Sequence, residues 1–297
     1  MFQSLINSFV FFYDYPLFFY LVLFVFGLFF GSFFKVIVDR SEEKYSEDVL
    51  VKKQKKSLNN NSWVTGRSHC QSCGKNIHWY DNVPLLSYLL LGGKCRFCKI
   101  KIGLDYPLVE LLTGILFVFV GYLHLSTPAY FNNPLFSFLF LLIFIIFLWL
   151  ILLFDQKYMI IPDELVLLVG LVAVMKAVSE QLFNIQASFF NDLAVATLLL
   201  LFFLMLRYLP LLFLKKYGLG WGDIKLVFPL AMVLGYKLAT VGIFCTFIIG
   251  GVWGIILLIT RRAKTGQMIS FGPFLVLGSL IALAWGADLW QAYWQLL

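Results

Sequence analysis

The sequence predicts an all-α polytopic membrane protein with about eight transmembrane helices and a small cytoplasmic four-cysteine zinc-binding domain. Three observations predict it. Hydrophobic residues make up 61% of the 297 and charged residues only 13%, a balance far from that of soluble domains. The apolar residues fall in runs of about twenty, the length a helix needs to cross a bilayer. One long polar stretch follows the first run and holds four of the five cysteines as two Cys-x-x-Cys pairs.

Residues 1–16 carry Asp14 and no Lys or Arg, and residues 17–38 are apolar apart from Lys35. That is the first span. It has no basic stretch before it and is long enough to cross the membrane, so it does not read as a removable signal peptide. Gly27 and Gly31 stand four apart, a spacing that lets another helix approach closely. Residues 39–106 then form a polar cytoplasmic loop, and 107–297 form a seven-span membrane domain.

Within the loop, residues 41–62 are rich in Lys and Glu and run into three asparagines, which predicts a flexible linker. The zinc-binding domain spans about 66–104. Cys70 and Cys73, then Cys95 and Cys98 after 21 intervening residues, match the spacing of two knuckles that close a tetrahedral thiolate shell in a reducing compartment. Four protein sulfurs leave no position for water, so the zinc is structural. His69 and His78 read as surface residues of the knuckles. The aromatic and apolar segment 79–88 suits the bilayer surface.

Tyr106 and Pro107 open the second span, 107–125. Glu110 lies one turn inside it, as a charge favoured by the helix dipole or as a functional group. An outer loop at 126–134 leads to the third span, 135–154, which ends at Asp155. Pro162, Asp163 and Glu164 form a helix-start signal for the fourth span, 164–183. A turn at 184–188 precedes the fifth span, 189–213. The sixth and seventh spans, 224–236 and 238–260, meet at a tight turn of Gly235, Tyr236 and Lys237. The eighth, 269–290, ends in a Trp-rich tail suited to the interface. Cys245, inside an apolar run, reads as a small core residue.

Of the 23 Lys and Arg residues, 21 fall on one side of this arrangement, in its loops or at the ends of the spans that border them, leaving Lys176 and Lys237. By the positive-inside rule the zinc loop, Asp155 and Asp223 are cytoplasmic and both termini are outside. The net charge of +7 therefore belongs to loops near membrane lipid, and it gives no ground for a nucleic-acid partner.

The chemistry concentrates in two carboxylates. Asp223 stands among Gly218, Gly220 and Gly222, between two very apolar runs. It either caps the helix that follows or is functional, the default for an acid at membrane depth. Asp155 also sits where an apolar run reaches water. Two carboxylates at one depth can share a proton, one acting as base on a water while the other polarises a scissile carbonyl, which is aspartic-protease chemistry. Repulsion between them and attraction from Lys157 or Lys225 are both open on the sequence. A second reading, from a different class, is a transporter in which the two acids bind a proton or cation.

The residues resemble the type IV prepilin peptidases, which belong with the Gly-x-Gly-Asp intramembrane aspartyl proteases. The resemblance runs through Gly31-Ser32-Phe33 with Arg40, Arg67 to Cys70, Asn82 to Pro84, Tyr106-Pro107 with Glu110, Asp155 with Pro162-Asp163, Gly220 to Asp223, and Phe271-Gly272-Pro273. Lys35 stands where the family usually carries Asn, and Ser41 where Pro often follows the Arg. The resemblance implies an enzyme of the bacterial inner membrane that removes the basic leader of prepilins or pseudopilins at the cytoplasmic face. Such enzymes often also methylate the new N-terminus with S-adenosylmethionine; a peptidase without that second activity is the alternative. It implies Asp155 and Asp223 as catalytic and Cys70, Cys73, Cys95 and Cys98 as zinc ligands. No Rossmann-type glycine loop is present to assign residues to S-adenosylmethionine.

Overall fold

The structure, a computed structural model, describes residues 15–41, 45, 69–70, 72–126, 134–182, 189–215, 218–261 and 270–296. Most of the linker expected at 41–62, Arg67, most of the loop expected at 126–134 and the turn expected at 184–188 lie outside the described residues. The described elements are α1 (Pro16–Arg40), a 3-10 turn (Trp79–Asn82), α2 (Leu86–Leu90), α3 (Asp105–Ser126), α4 (Pro134–Tyr158), α5 (Asp163–Leu182), α6 (Phe189–Leu214), α7 (Trp221–Ile259) and α8 (Gly272–Leu296). All but the 3-10 turn and α2 are long and apolar enough to cross a membrane. Among the described residues the only β pairing is two isolated bridges. The chain divides into two compact units, Met1–Pro128 and Ala129–Leu297.

In the first unit α1 and α3 pack antiparallel, and small residues set their separation. A Cβ at position 27 would lie 2.7 Å from the Gly114 Cα, and one at position 31 would lie 2.8 Å from the Glu110 Cα. The expected close contact at Gly27 and Gly31 is therefore made, against α3. Where the helices leave the apolar zone, Lys35 Nζ bridges Asp39 (3.0 Å) and Asp105 (2.6 Å). The Tyr106 hydroxyl donates to Asp39 at 2.7 Å, so the lysine found where the family carries Asn is neutralised by two carboxylates. Glu110 accepts the Leu85 backbone N–H at 2.8 Å and also bonds Ser32. These contacts tie Glu110 to the turn before α2, where Leu85 has a positive φ of 58°.

In the second unit α4 is buried along most of its length, and α7 packs against α5, α6 and α8. The stretch read from the sequence as two spans, 224–236 and 238–260, is the run α7, whose two helical limbs meet at a non-helical Gly235 as the expected turn requires; counted by limbs, the seven long apolar runs give the eight helical segments expected. The run is not straight. Gly235 has φ 78° and ψ 162°, a conformation that costs glycine little and other residues much. Val227, Leu230, Ala231 and Leu234 before it and Ala239 and Ile243 after it line one small cavity. Val227 and Ile243 would be about 24 Å apart in a straight helix, so α7 reverses at Gly235. The second limb then runs antiparallel to α8, with Leu238 against Gly286, Gly242 against Ala282 and Gly250 against Phe274. Cys245, expected in the core, is half-buried in this limb.

Candidate active site and metal centre

Asp155 lies in the last turn of α4 and is 4% exposed. The helix ends just beyond it, where Met159 turns left-handed (φ 54°) while donating to the Asp155 carbonyl at 2.9 Å. The Asp155 carboxylate accepts the Ser270 hydroxyl and the Gly272 backbone N–H. That approach requires glycine, because a Cβ at position 272 would run into the carboxylate itself.

Asp223 occupies the first turn of α7 and is 7% exposed. Gly220 is the N-cap residue, and its N–H donates to the Asp223 side chain, the reciprocal half of a capping box. The capping role weighed from the sequence is thus real, but it does not exhaust the residue. The same carboxylate lies within electrostatic reach of Asp155. The fold therefore brings together two acids 68 positions apart in the chain, both nearly inaccessible to solvent.

Arg207, Ile161 and Asp163 hold the glycine-rich segment that delivers Asp223. Arg207 of α6 donates to the Leu219 carbonyl, stacks its guanidinium 4.6 Å from the Trp221 ring centroid, and accepts the Gly218 N–H at its own carbonyl (3.1 Å). Gly222 packs on Ile161, whose Cβ would be 2.9 Å from a Cβ at position 222. Lys225 Nζ contacts both Asp163 oxygens, at 2.8 and 3.0 Å. Of the two lysines left open as partners of the acids, Lys225 is thus bound to Asp163, and Lys157 lies over the Tyr158 ring (5.2 Å). Sequence reasoning missed Ser270 and Arg207. Arg207 was nonetheless signalled, as an ionisable residue inside an apolar run, and Ser270 precedes the noted Phe271-Gly272-Pro273.

The four knuckle cysteines converge. All four Sγ atoms lie within 4.8 Å of one another, and Cys70 and Cys98 are 3.8 Å apart. Four sulfurs about 2.3 Å from a tetrahedral zinc would be separated by about 3.8 Å, so the donor set fits the metal. Neither His69 nor His78 belongs to the cluster; His78 stacks on Tyr80. The two knuckles repeat one backbone plan. Cys70 N–H donates to the Lys75 carbonyl and Cys95 N–H to the Ile100 carbonyl, both at 2.9 Å. The residue after each second cysteine is left-handed, Gly74 at φ 68° and Lys99 at φ 58°.

Backbone N–H groups of Cys98 and Phe97 pointing at its sulfur bring the Cys95 thiol down to about 6. Cys98 is pushed up to about 11: the Ile100 N–H favours its thiolate, but desolvation and the Cys95, Cys73 and Cys70 sulfurs outweigh it. Arg96 clamps the second knuckle to the 3-10 turn through a two-pronged contact with Asp81 (2.6 and 2.8 Å). Its hydrogen bonds and charge hold the Asp81 carboxyl below the usual carboxylate range.

A model described as the bacterial peptidase A24 N-terminal domain matches residues 25–124, and that of the type IV leader peptidase family matches residues 142–255. The chain is 32% identical to a prepilin leader peptidase/N-methyltransferase of Pseudomonas aeruginosa, covering 95% of this chain and 96% of that protein. Proteins of the same name from Stutzerimonas stutzeri and Legionella pneumophila are each 30% identical, over 94% and 95% of this chain and 95% and 98% of theirs. No solved structure matches significantly. A multi-pass membrane chain with two buried aspartates, a four-cysteine cluster and this similarity along nearly its whole length belongs to the type IV leader peptidase family.

Proposed function

We propose that this protein is a membrane-embedded aspartic endopeptidase that cleaves the leader from type IV prepilins or pseudopilins and N-methylates the residue it exposes. The carrying observation is the pairing of Asp155 with Asp223 in a chain whose relatives are named prepilin leader peptidase/N-methyltransferase. The family assignment leaves the transporter reading without support.

Asp155 and Asp223 act as one unit. With a single proton between them, the ionised carboxylate takes a proton from water as that water attacks the scissile carbonyl. The protonated partner hydrogen-bonds the carbonyl oxygen and stabilises the developing oxyanion. Ser270 and Gly272 fix the orientation of Asp155, and the Gly220 N–H fixes that of Asp223. The low exposure of both acids limits bulk water, which strengthens each electrostatic contact in the site.

Cys70, Cys73, Cys95 and Cys98 would hold a structural zinc that fixes the fold of the loop they share. S-adenosylmethionine is the methyl donor that the N-methyltransferase relatives imply. The charge asymmetry supports a bacterial inner-membrane location with the acids and zinc loop cytoplasmic and both termini outside.

Mass spectrometry of a prepilin incubated with purified enzyme, with and without S-adenosylmethionine, tests this. Loss of the leader in both reactions, with one added methyl group only when the donor is present, is the expected result. An intact substrate overturns the peptidase, and leader loss without methylation overturns the second activity.

A further inference from the structure

Far along the chain from the knuckles, the second unit buries a cluster of charge that no step above uses. Lys176 near the end of α5 is 6% exposed, and Asp192 near the start of α6 is 2% exposed. Lys176 Nζ lies 3.1 Å from Asp192 Oδ2, 3.2 Å from Glu180 Oε1 and 3.2 Å from the Met232 carbonyl oxygen. Asp192 Oδ1 in turn accepts the Tyr236 backbone N–H at 2.8 Å. Burying an ion pair is rarely a route to stability, since removing both charges from water offsets most of their attraction.

The contacts give the pair a different rationale. Met232 is at the C-terminal end of the first limb of α7, and Tyr236 is at the N-terminal end of the second. A helix end of the first kind leaves carbonyls unpaired and carries partial negative charge; one of the second kind leaves N–H groups unpaired and carries partial positive charge. Lys176 meets the former and Asp192 the latter, with Gly235 between them: a Cβ there would lie 3.4 Å from Lys176 Nζ and 3.5 Å from both Asp192 oxygens. The ion pair is laid across the reversal with each charge on the helix end of opposite sign.

We propose that Lys176 and Asp192 are positioning residues for Asp223: by satisfying the two helix ends that meet at Gly235 they fix the direction of the short limb whose other end carries that aspartate. The limb is a lever. Asp223 stands twelve residues from Gly235, about 18 Å along a helix, so a rotation of a few degrees at the reversal moves the carboxylate by about 1 Å against Asp155. Displacements of that size cost catalysis on the order of a hundredfold.

This inference rests on the assignment of Asp155 and Asp223 as the acting pair, and one set of variants of the full-length enzyme in lipid separates the two. Asp192→Ala removes both the helix cap and the ion pair. Asp192→Asn keeps an acceptor for the Tyr236 N–H and loses only the charge; Lys176→Arg keeps the charge. The readouts are kcat and KM for leader cleavage and amide hydrogen exchange in peptides covering 221–234 and 142–155.

Asp192→Ala is expected to lower kcat roughly tenfold to a hundredfold with KM within about twofold. It should speed exchange in 221–234 and not in 142–155, while Lys176→Arg restores most of the activity lost in Lys176→Met. Should Asp192→Ala fail to accumulate in the membrane, Asp192→Asn decides by a kcat at least about threefold below the parent enzyme. A parent-like kcat in Asp192→Asn, together with a parent-like kcat or no accumulation in Asp192→Ala, overturns the proposal. So does unchanged exchange in 221–234. Continued cleavage by Asp223→Asn would instead sink the underlying assignment, whatever the Asp192 variants do.

Discussion

Lys225 Nζ lies 2.8 Å from one carboxylate oxygen of Asp163 and 3.0 Å from the other, which commits the cation two residues past Asp223 to the start of α5. Both partners are well exposed, with side chains at 48% and 72%. Such a pair contributes at most about 1 kcal/mol. Lys225→Met should therefore leave cleavage within about fivefold of the parent, the equivalent of roughly 1 kcal/mol. A hundredfold loss in a steady-state cleavage assay would show that Lys225 acts on the aspartates directly.

Asp155→Asn and Asp223→Asn remove one acid each from a pair that works jointly. Each should lower leader cleavage by at least about a thousandfold, with the double variant little worse than either single one. Metal analysis should find the same zinc content in all three, because the cysteines lie in the other unit.

Ser270 donates its hydroxyl to Asp155. Losing a hydrogen bond to a charged group costs about 1.5–3 kcal/mol. Ser270→Ala is expected to cut kcat by about one to two orders of magnitude with little change in KM. Ser270→Thr, which keeps the hydroxyl, should retain more activity than Ser270→Ala in the same assay.

Gly222 has no room for a methyl group, since the obstructing atom is the Cβ of Ile161 and not the end of a flexible side chain. Gly222→Ala should displace the first turn of α7 and lower cleavage by on the order of a hundredfold. Trimming position 161 to Ala keeps its Cβ and should not rescue it, whereas Ile161→Gly should recover part of the activity. Rescue by Ile161→Ala would show that the clash is not at the Cβ.

Zinc binding at the knuckles should tighten as pH rises. Between about 6 and about 11 Cys95 is already a thiolate while Cys98 is still a thiol, and only thiolates ligate zinc. Loading metal in that window must release the Cys98 proton, and affinity falls further below about 6 as Cys95 protonates too. Competition with a chelator across the window checks the direction. A pH-independent affinity, or retention of zinc by a variant with all four cysteines changed to Ser, would refute the site.

The chain itself determined most of the membrane architecture, because a twenty-residue apolar run is a local property that needs no partner to be read. It determined the knuckles for the same reason: a Cys-x-x-Cys turn is a short-range device, and two of them complete one shell. The acids Asp155 and Asp223 could be read from sequence because a carboxylate bordering a bilayer-length run is conspicuous on its own.

Tertiary structure decided what depends on distant residues meeting. Ser270 turning to Asp155, Lys225 turning to Asp163 and Arg207 bracing Leu219 and Trp221 link positions 115, 62 and 12 to 14 apart in the chain. The spacing of Lys176 and Asp192 carries no trace of their shared contact with the two limbs of α7. The sequence showed the turn at Gly235 between two spans, but only packing could show that Lys176 and Asp192 meet the two helix ends there, since those side chains come from other helices.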